Sequence, residues 1–231
     1  MAAIVVCSAW PAAAACRQAL ALGLDVSGSV DLREYRLQLD GLVAALNAPD
    51  VRQILFSAPG APVSILVYEW SGPQDQEVLV PWTALTGPDV LAEVSAGLAR
   101  TERRAATPGT ALGVAMQEGV RHLAEKQHCW KRTLDISGDG KSNLGPIPRY
   151  VKDDLGQSGV SINALVIGSD APATGDRRQA DIAELSSYFR SEVILGPDAF
   201  VQTAIGFEGY EAAMTAKLER ELERLEIGAL Q

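Results

Sequence analysis

Apolar and polar positions change period several times along the chain. Residues 19–26 (ALALGLDV) are almost all apolar with no helical spacing, the pattern of a strand buried on both faces of a parallel sheet. A Gly/Ser turn ends it. Over residues 31–47, Tyr35, Leu39, Leu42, Val43 and Leu46 share one helical face, and the pattern stops before Pro49. Residues 63–70 and 77–82 read as two strands joined through a Gly72-Pro73 turn. Helices are expected over 88–99 and 110–126. The next strand, 131–137, runs into Gly138-Asp139-Gly140. A helix over 147–157, a strand over 160–167, a helix over 181–189 and a last short strand over 192–195 follow. From residue 199 onward the pattern is mostly helical. Met214, Leu218, Leu222 and Leu225 form a stripe with Glu/Arg pairs opposite, so this last helix is expected to dock on the body.

Strands alternating with helices predict βαβ units: an α/β protein with a mainly parallel sheet and right-handed crossovers. In such sheets ligands sit beyond the carboxyl ends of the strands, at the point where strand order reverses. The 231 residues suit one domain with a full core. With 47% hydrophobic and 21% charged residues the composition is that of an ordinary globular protein. A net charge of −9 repels phosphate backbones, so nucleic acid is not an expected partner. No apolar run reaches the roughly 18–20 residues of a membrane span, so none is expected in the mature chain.

Residues 1–15 read as a signal peptide or its remnant. Residues 2–6 are apolar, Trp10 and Pro11 follow, and 12–15 are all alanine, the small-residue run that precedes export cleavage. No Lys or Arg stands before Arg17, so the basic n-region is missing. Either the start lies inside a longer leader or the segment is an apolar extension. Export to the periplasm or the exterior is the expectation, with 16–231 forming a single domain that includes the terminal helix. Cys7 would leave with the leader.

The first strand ends in Asp25-Val26-Ser27-Gly28-Ser29. A carboxylate and two hydroxyls alternate here, and Gly28 allows a turn tight enough for the oxygens to converge. One negative charge with neutral oxygens suits a hard divalent cation, Mg²⁺ with Mn²⁺ or Ca²⁺ as alternatives, rather than Zn²⁺. Taken alone, the motif fits equally well a helix N-cap provided by Ser29 or Asp31. Two later segments add to it. Thr110, three residues before Gly113, offers a hydroxyl, and Asp139 at the end of the 131–137 strand offers a carboxylate.

Asp-x-Ser-x-Ser, then Thr110, then strand-Asp139-Gly140, resembles the metal-ion-dependent adhesion site of von Willebrand factor A domains, in that family's order and spacing. The resemblance covers about residues 19–207. It implies a Rossmann-like, doubly wound sheet with helices on both faces, and Mg²⁺ held by Asp25, Ser27, Ser29, Thr110 and Asp139, directly or through water. It also implies a protein partner whose Asp or Glu carboxylate completes the metal shell. Residues 67–70 with Gly72, 80–82, 136–140 and 196–200 resemble an exported bacterial branch of the family with no assigned function.

Asp135 departs from the family pattern, in which an apolar residue is usual. Four residues of strand separate it from Asp139, about 13 Å, too far for direct ligation. It is expected to be a buried carboxylate paired with a cation or a backbone NH. In the implied strand order, strands one and four are neighbours, and Cys16 precedes Asp25 by nearly the distance at which Cys129 precedes Asp139. A Cys16–Cys129 disulfide in an oxidising compartment is therefore expected. The alternatives are two free thiols, or a lipidated Cys16, for which the preceding Leu is absent.

Lys141, Ser142 and Asn143, with Gly28, are candidates for partner contact or are simply turn formers. His122 and His128 read as surface groups, and Trp70, Trp82 and Trp130 as packing residues. Enzymatic readings are weaker. An aspartyl phosphotransferase built on Asp25 wants a second acid where Ser27 stands, and a hydrolase wants a base beside its serine. Both leave Thr110 unexplained, so a non-enzymatic metal-dependent binding module is expected. The alternative is a structural or assembly role in which metal only stabilises the loops.

Overall fold

The computed structural model describes residues 15–168 and 175–228. The segment read as a leader, with Cys7, lies outside the described residues apart from Ala15. Six strands form one sheet: β1 (Cys16–Asp25), β2 (Val63–Trp70), β3 (Gln76–Ala84), β4 (Cys129–Gly138), β5 (Ser161–Ile167) and β6 (Val201–Ala204), in the order β3-β2-β1-β4-β5-β6. All neighbours are parallel except β2 and β3, which form an antiparallel hairpin. The helices are α1 (Leu32–Asn47), α2 (Pro49–Phe56), α3 (Pro88–Arg100), α4 (Leu112–Ala124), α5 (Pro148–Leu155), α6 (Gly175–Glu192) and α7 (Tyr210–Gly228).

All ten residues of β1 are buried because the strand is central and covered on both faces. Leu20, Leu22 and Leu24 point into one layer with α1, α2, α3 and α7. Ala19 and Ala21 point into the other, with Leu112 and Met116 of α4, Val151 of α5 and Phe189 of α6. Each leucine so buried contributes about 1.5–3 kcal/mol. Chain order reverses at β1, which has β2 on one side and β4 on the other. The crevice beyond Asp25 and Gly138 is thus the place for a ligand.

Two sequence expectations are corrected. The strand over 192–195 is only an isolated bridge, Leu195 to Ile162. The sixth strand is β6, inside a stretch that reads as helix, and its extended form comes from pairing with β5. The helix over 31–47 stops before Pro49 as expected, and Pro49 itself opens the short helix α2, which the sequence pattern did not separate. Pro49 occupies the first turn of α2, where its missing NH and fixed φ cost nothing.

Candidate metal centre

Asp25 ends β1 at 1% exposure, and its Oδ1 accepts the Ser27 amide at 2.8 Å. Gly28 N donates to the Pro108 carbonyl at 3.0 Å, and a Cβ at this position would stand 2.7 Å from the proline ring. Only glycine allows this approach. Asp31 caps α1: its side chain accepts the Glu34 amide at 2.8 Å, and Glu34 accepts the Asp31 amide at 2.7 Å. With Asp31 in that role, Ser29 is free of it. The Ser29 hydroxyl donates to Asp139 Oδ1 at 2.7 Å and lies 3.2 Å from the Ser27 hydroxyl. Asp25 is thus joined to Ser27 through the Ser27 amide, and the Ser27 and Ser29 hydroxyls lead on to Asp139 across the ends of β1 and β4.

Thr110 stands just before α4, at 6% exposure. Its amide donates to Asn143 Oδ1 at 2.8 Å, and its carbonyl accepts the Asn143 amide at 2.9 Å and the Ser142 hydroxyl at 3.2 Å. Gly113 closes the same junction, since a Cβ there would fall 2.2 Å from the Pro146 carbonyl. Ser142 and Asn143 thus brace the Thr110 loop, whereas Lys141 reaches outward to Glu184 at 2.5 Å.

Burial, and then the neighbouring Asp139, push the Asp25 carboxyl up to about 7. Burial also raises Asp139. Asp25 Oδ2 is buried without a hydrogen-bond partner among the described residues, and it sits 3.5 Å from where a Gly138 Cβ would be. Two facing carboxylates and an orphaned buried oxygen are stabilised by a proton or by a cation. The oxygen-only donor set fits a hard divalent ion.

Two supporting residues carry no sequence signal of their role. Arg103 forks into the loop over 26–30, donating to the carbonyls of Val26 at 3.0 Å, Ser27 at 3.1 Å and Val30. Gln38 Nε2 donates to the Asp25 carbonyl at 3.0 Å. Replacing Arg103 with alanine is expected to cost about 1.5–3 kcal/mol, the value of hydrogen bonds to a charged group. Lysine should recover little of that loss, because it lacks the planar fork. Urea denaturation of the two variants checks this.

His122, read as a surface group, is 7% exposed and packs at 5.8 Å from the Tyr68 ring. Trp130, read as a packing residue, is 65% exposed. The two positions fall at the inner edge of α4 and the outer side of β4, and their exposure is set by packing partners remote in sequence. Asp135 is buried and paired with Lys217 of α7. Cys16 and Cys129 face each other across β1 and β4 and form a disulfide.

Sheet order and layers are those of the von Willebrand factor A fold. Among solved structures the fold is shared with proximal thread matrix protein 1 from the mussel byssus, at 17% identity over 91% of this chain and 49% of that one, TM-score 0.59. It is also shared with the pilus adhesin SpaC of Lactobacillus rhamnosus GG, at 12% identity over 91% and 31%, TM-score 0.58. A von Willebrand factor type A protein from Catenulispora acidiphila is similar at 13% identity over 91% and 43%, TM-score 0.54. The chain thus spans half or less of the length of these relatives. Another structure of the mussel protein has a zinc-occupied MIDAS motif, the metal-ion-dependent adhesion site. The chain itself belongs to the family described as protein of unknown function (DUF1194), which matches residues 15–226. A search of curated proteins gives no match.

Proposed function

We propose that this protein is a non-enzymatic, divalent-metal-dependent binding module. Asp25, Ser27, Ser29, Thr110 and Asp139 hold Mg²⁺, and an Asp or Glu of a protein partner completes the shell. The observation that carries this reading is the buried, unpartnered Asp25 Oδ2 close to a second acid, Asp139, which holds the Ser29 hydroxyl and, beyond it, that of Ser27. The zinc-occupied site of the mussel relative adds support for a divalent ion. Mn²⁺ and Ca²⁺ use the same oxygen chemistry and are the competitors to test. The disulfide supports work in an oxidising compartment, the periplasm or the exterior, reached by export of 16–231 as one domain.

Thermal unfolding with EDTA, Mg²⁺, Mn²⁺ or Ca²⁺ tests the reading. Metal at a hundred times its Kd should add about 2.7 kcal/mol, or about 2–4 °C per kcal/mol for a chain of this size. Asp25→Ala should abolish the response. Acidity adds a check. Because the folded-state Asp25 carboxyl is raised to about 7, the metal-free fold binds more protons than the unfolded chain and loses stability as pH climbs from about 4 to about 7. Metal needs the ionised carboxylate, so its stabilising effect should grow over that same interval. A flat response to every metal sinks the mechanism. Metal-dependent stability without metal-dependent capture of a partner would favour the structural role instead.

A further inference from the structure

A cavity of about 230 Å³ opens beside the metal loop, between the β2–β3 turn and residues 104–106. Val26, Glu69, Asp75, Glu77 and Arg104 are among its lining residues. Val26 stands between Asp25 and Ser27, so the cavity and the candidate metal centre share a wall. The cavity is smaller than the roughly 300–1,000 Å³ of pockets that hold a whole small molecule, and suits one side chain.

Its floor is charged. Glu69 is 4% exposed, and its Oε1 accepts the Tyr35 hydroxyl at 2.5 Å. Among the described residues no other hydrogen bond reaches this carboxylate, which leaves Oε2 for whatever enters the cavity. Burial raises the Glu69 carboxyl, while the Tyr35 hydroxyl and the Arg104 and Arg103 guanidiniums act on it in the opposite direction. Asp75 and Glu77 stand at the rim, and the Asp75 carboxylate accepts the Thr107 amide at 3.1 Å, tying the rim to the loop that carries Thr110. Against these three acids the lining holds one cation, Arg104. It pairs with Glu77 at 2.7 Å, but the two side chains are 66% and 42% exposed. An exposed pair of this kind contributes little, so an incoming cation displaces it at small cost.

We propose that this cavity is a subsite for a single alkylammonium or guanidinium group, seated against Glu69 and Glu77. Resting on the metal-dependent reading above, that group is a Lys or Arg side chain carried by the partner next to its metal-bound carboxylate. An acid and a base side by side would then be the recognition element, with the metal reading one charge and Glu69 the other.

The test is an NMR titration of the whole protein with n-butylammonium chloride, with n-butanol as the neutral isostere, in EDTA and in Mg²⁺. Saturable shifts are expected at the amides of Val26, Glu69, Glu77 and Ala105. The ammonium should bind at least tenfold tighter than the alcohol. Binding should persist in EDTA, fall at least tenfold in Glu69→Gln, and tighten several-fold in Arg104→Ala, an exposed position that keeps the fold. Equal shifts from alcohol and ammonium, or no change in both variants, overturn the subsite. Cation binding that survives while Mg²⁺ leaves the melting temperature flat keeps the subsite and removes the metal mechanism; the reverse pattern removes the subsite alone.

Discussion

Replacing Lys217 with methionine is expected to destabilise the protein by about 3–5 kcal/mol, the cost of leaving buried charge without its partner. Lys217 and Glu221 lie one turn apart on α7, and both are fully buried. The Lys217 ammonium contacts Asp135 of β4 and Glu221 Oε1, the latter at 2.9 Å, and lies 5.1 Å from the centre of the Phe200 ring. Asn163 of β5 adds a hydrogen bond to Glu221 at 2.5 Å. One cation therefore serves two buried acids. Methionine fills the same space but leaves both acids facing each other in an apolar layer. Against a total stability of 5–15 kcal/mol for typical domains, a loss of this size is large.

The deficit should depend on pH in a definite direction. Burial, and then Glu221, already push the Asp135 carboxyl up to about 7. Without Lys217, the folded state holds its carboxyl protons still more tightly than the unfolded chain does. Folded stability must then fall as pH rises through and beyond that region. The variant should sit closer to the native protein at pH 5 than at pH 8. Adding Asp135→Asn and Glu221→Gln to Lys217→Met should recover most of the loss at pH 8, since no ionised acid remains. Denaturant titrations at the two pH values measure both effects. A loss under about 1 kcal/mol would mean that solvent reaches the cluster and that it carries no buried charge.

This cluster also marks where sequence reasoning stops. Asp135 was legible as an anomaly, because an acid inside an apolar strand must find a cation. Its partner was not legible. Lys217 and Glu221 look like an ordinary solvated pair at helical spacing, and only the docking of α7 on the sheet turns them inward. Arg103 poses the same problem. It stands beside Arg104 in an irregular segment, and which of the two turns inward is decided by the carbonyls of Val26, Ser27 and Val30 on another loop. Asp25, Ser27, Ser29 and Asp139 were easier, because each lies where an apolar run stops and a glycine-rich turn begins. The ambiguity between metal loop and helix cap persisted in the sequence, since Ser29 and Asp31 are equally good caps. The capping box of Asp31 with Glu34 assigns the cap to Asp31 and leaves Ser29 out of that role. β6 was missed because four residues hold no period of their own, and the edge of β5 makes them a strand.

Removing the Cys16–Cys129 disulfide should be the second large perturbation. The bridge closes a sequence separation of 113 residues, and in the chain-entropy account a loop of about 100 residues is worth about 4.7 kcal/mol. Losses on removing native disulfides run about 2–5 kcal/mol, and each kcal/mol moves the melting temperature of a chain this size by about 2–4 °C. The two half-cystines are register partners at the start of β1 and β4, the strands that end in Asp25 and Gly138. Nine steps of strand separate Cys16 from Asp25, and at about 3.3 Å per residue the bridge lies about 30 Å from the candidate metal loop. It therefore ties the two central strands at the end opposite the candidate site. A Cys16→Ser/Cys129→Ser protein should melt well below the native form while binding Mg²⁺ with nearly unchanged affinity. Calorimetric metal titration below the lowered melting point decides the matter. If affinity instead drops along with stability, the strands transmit strain over their whole length, and the two ends of the sheet are not independent.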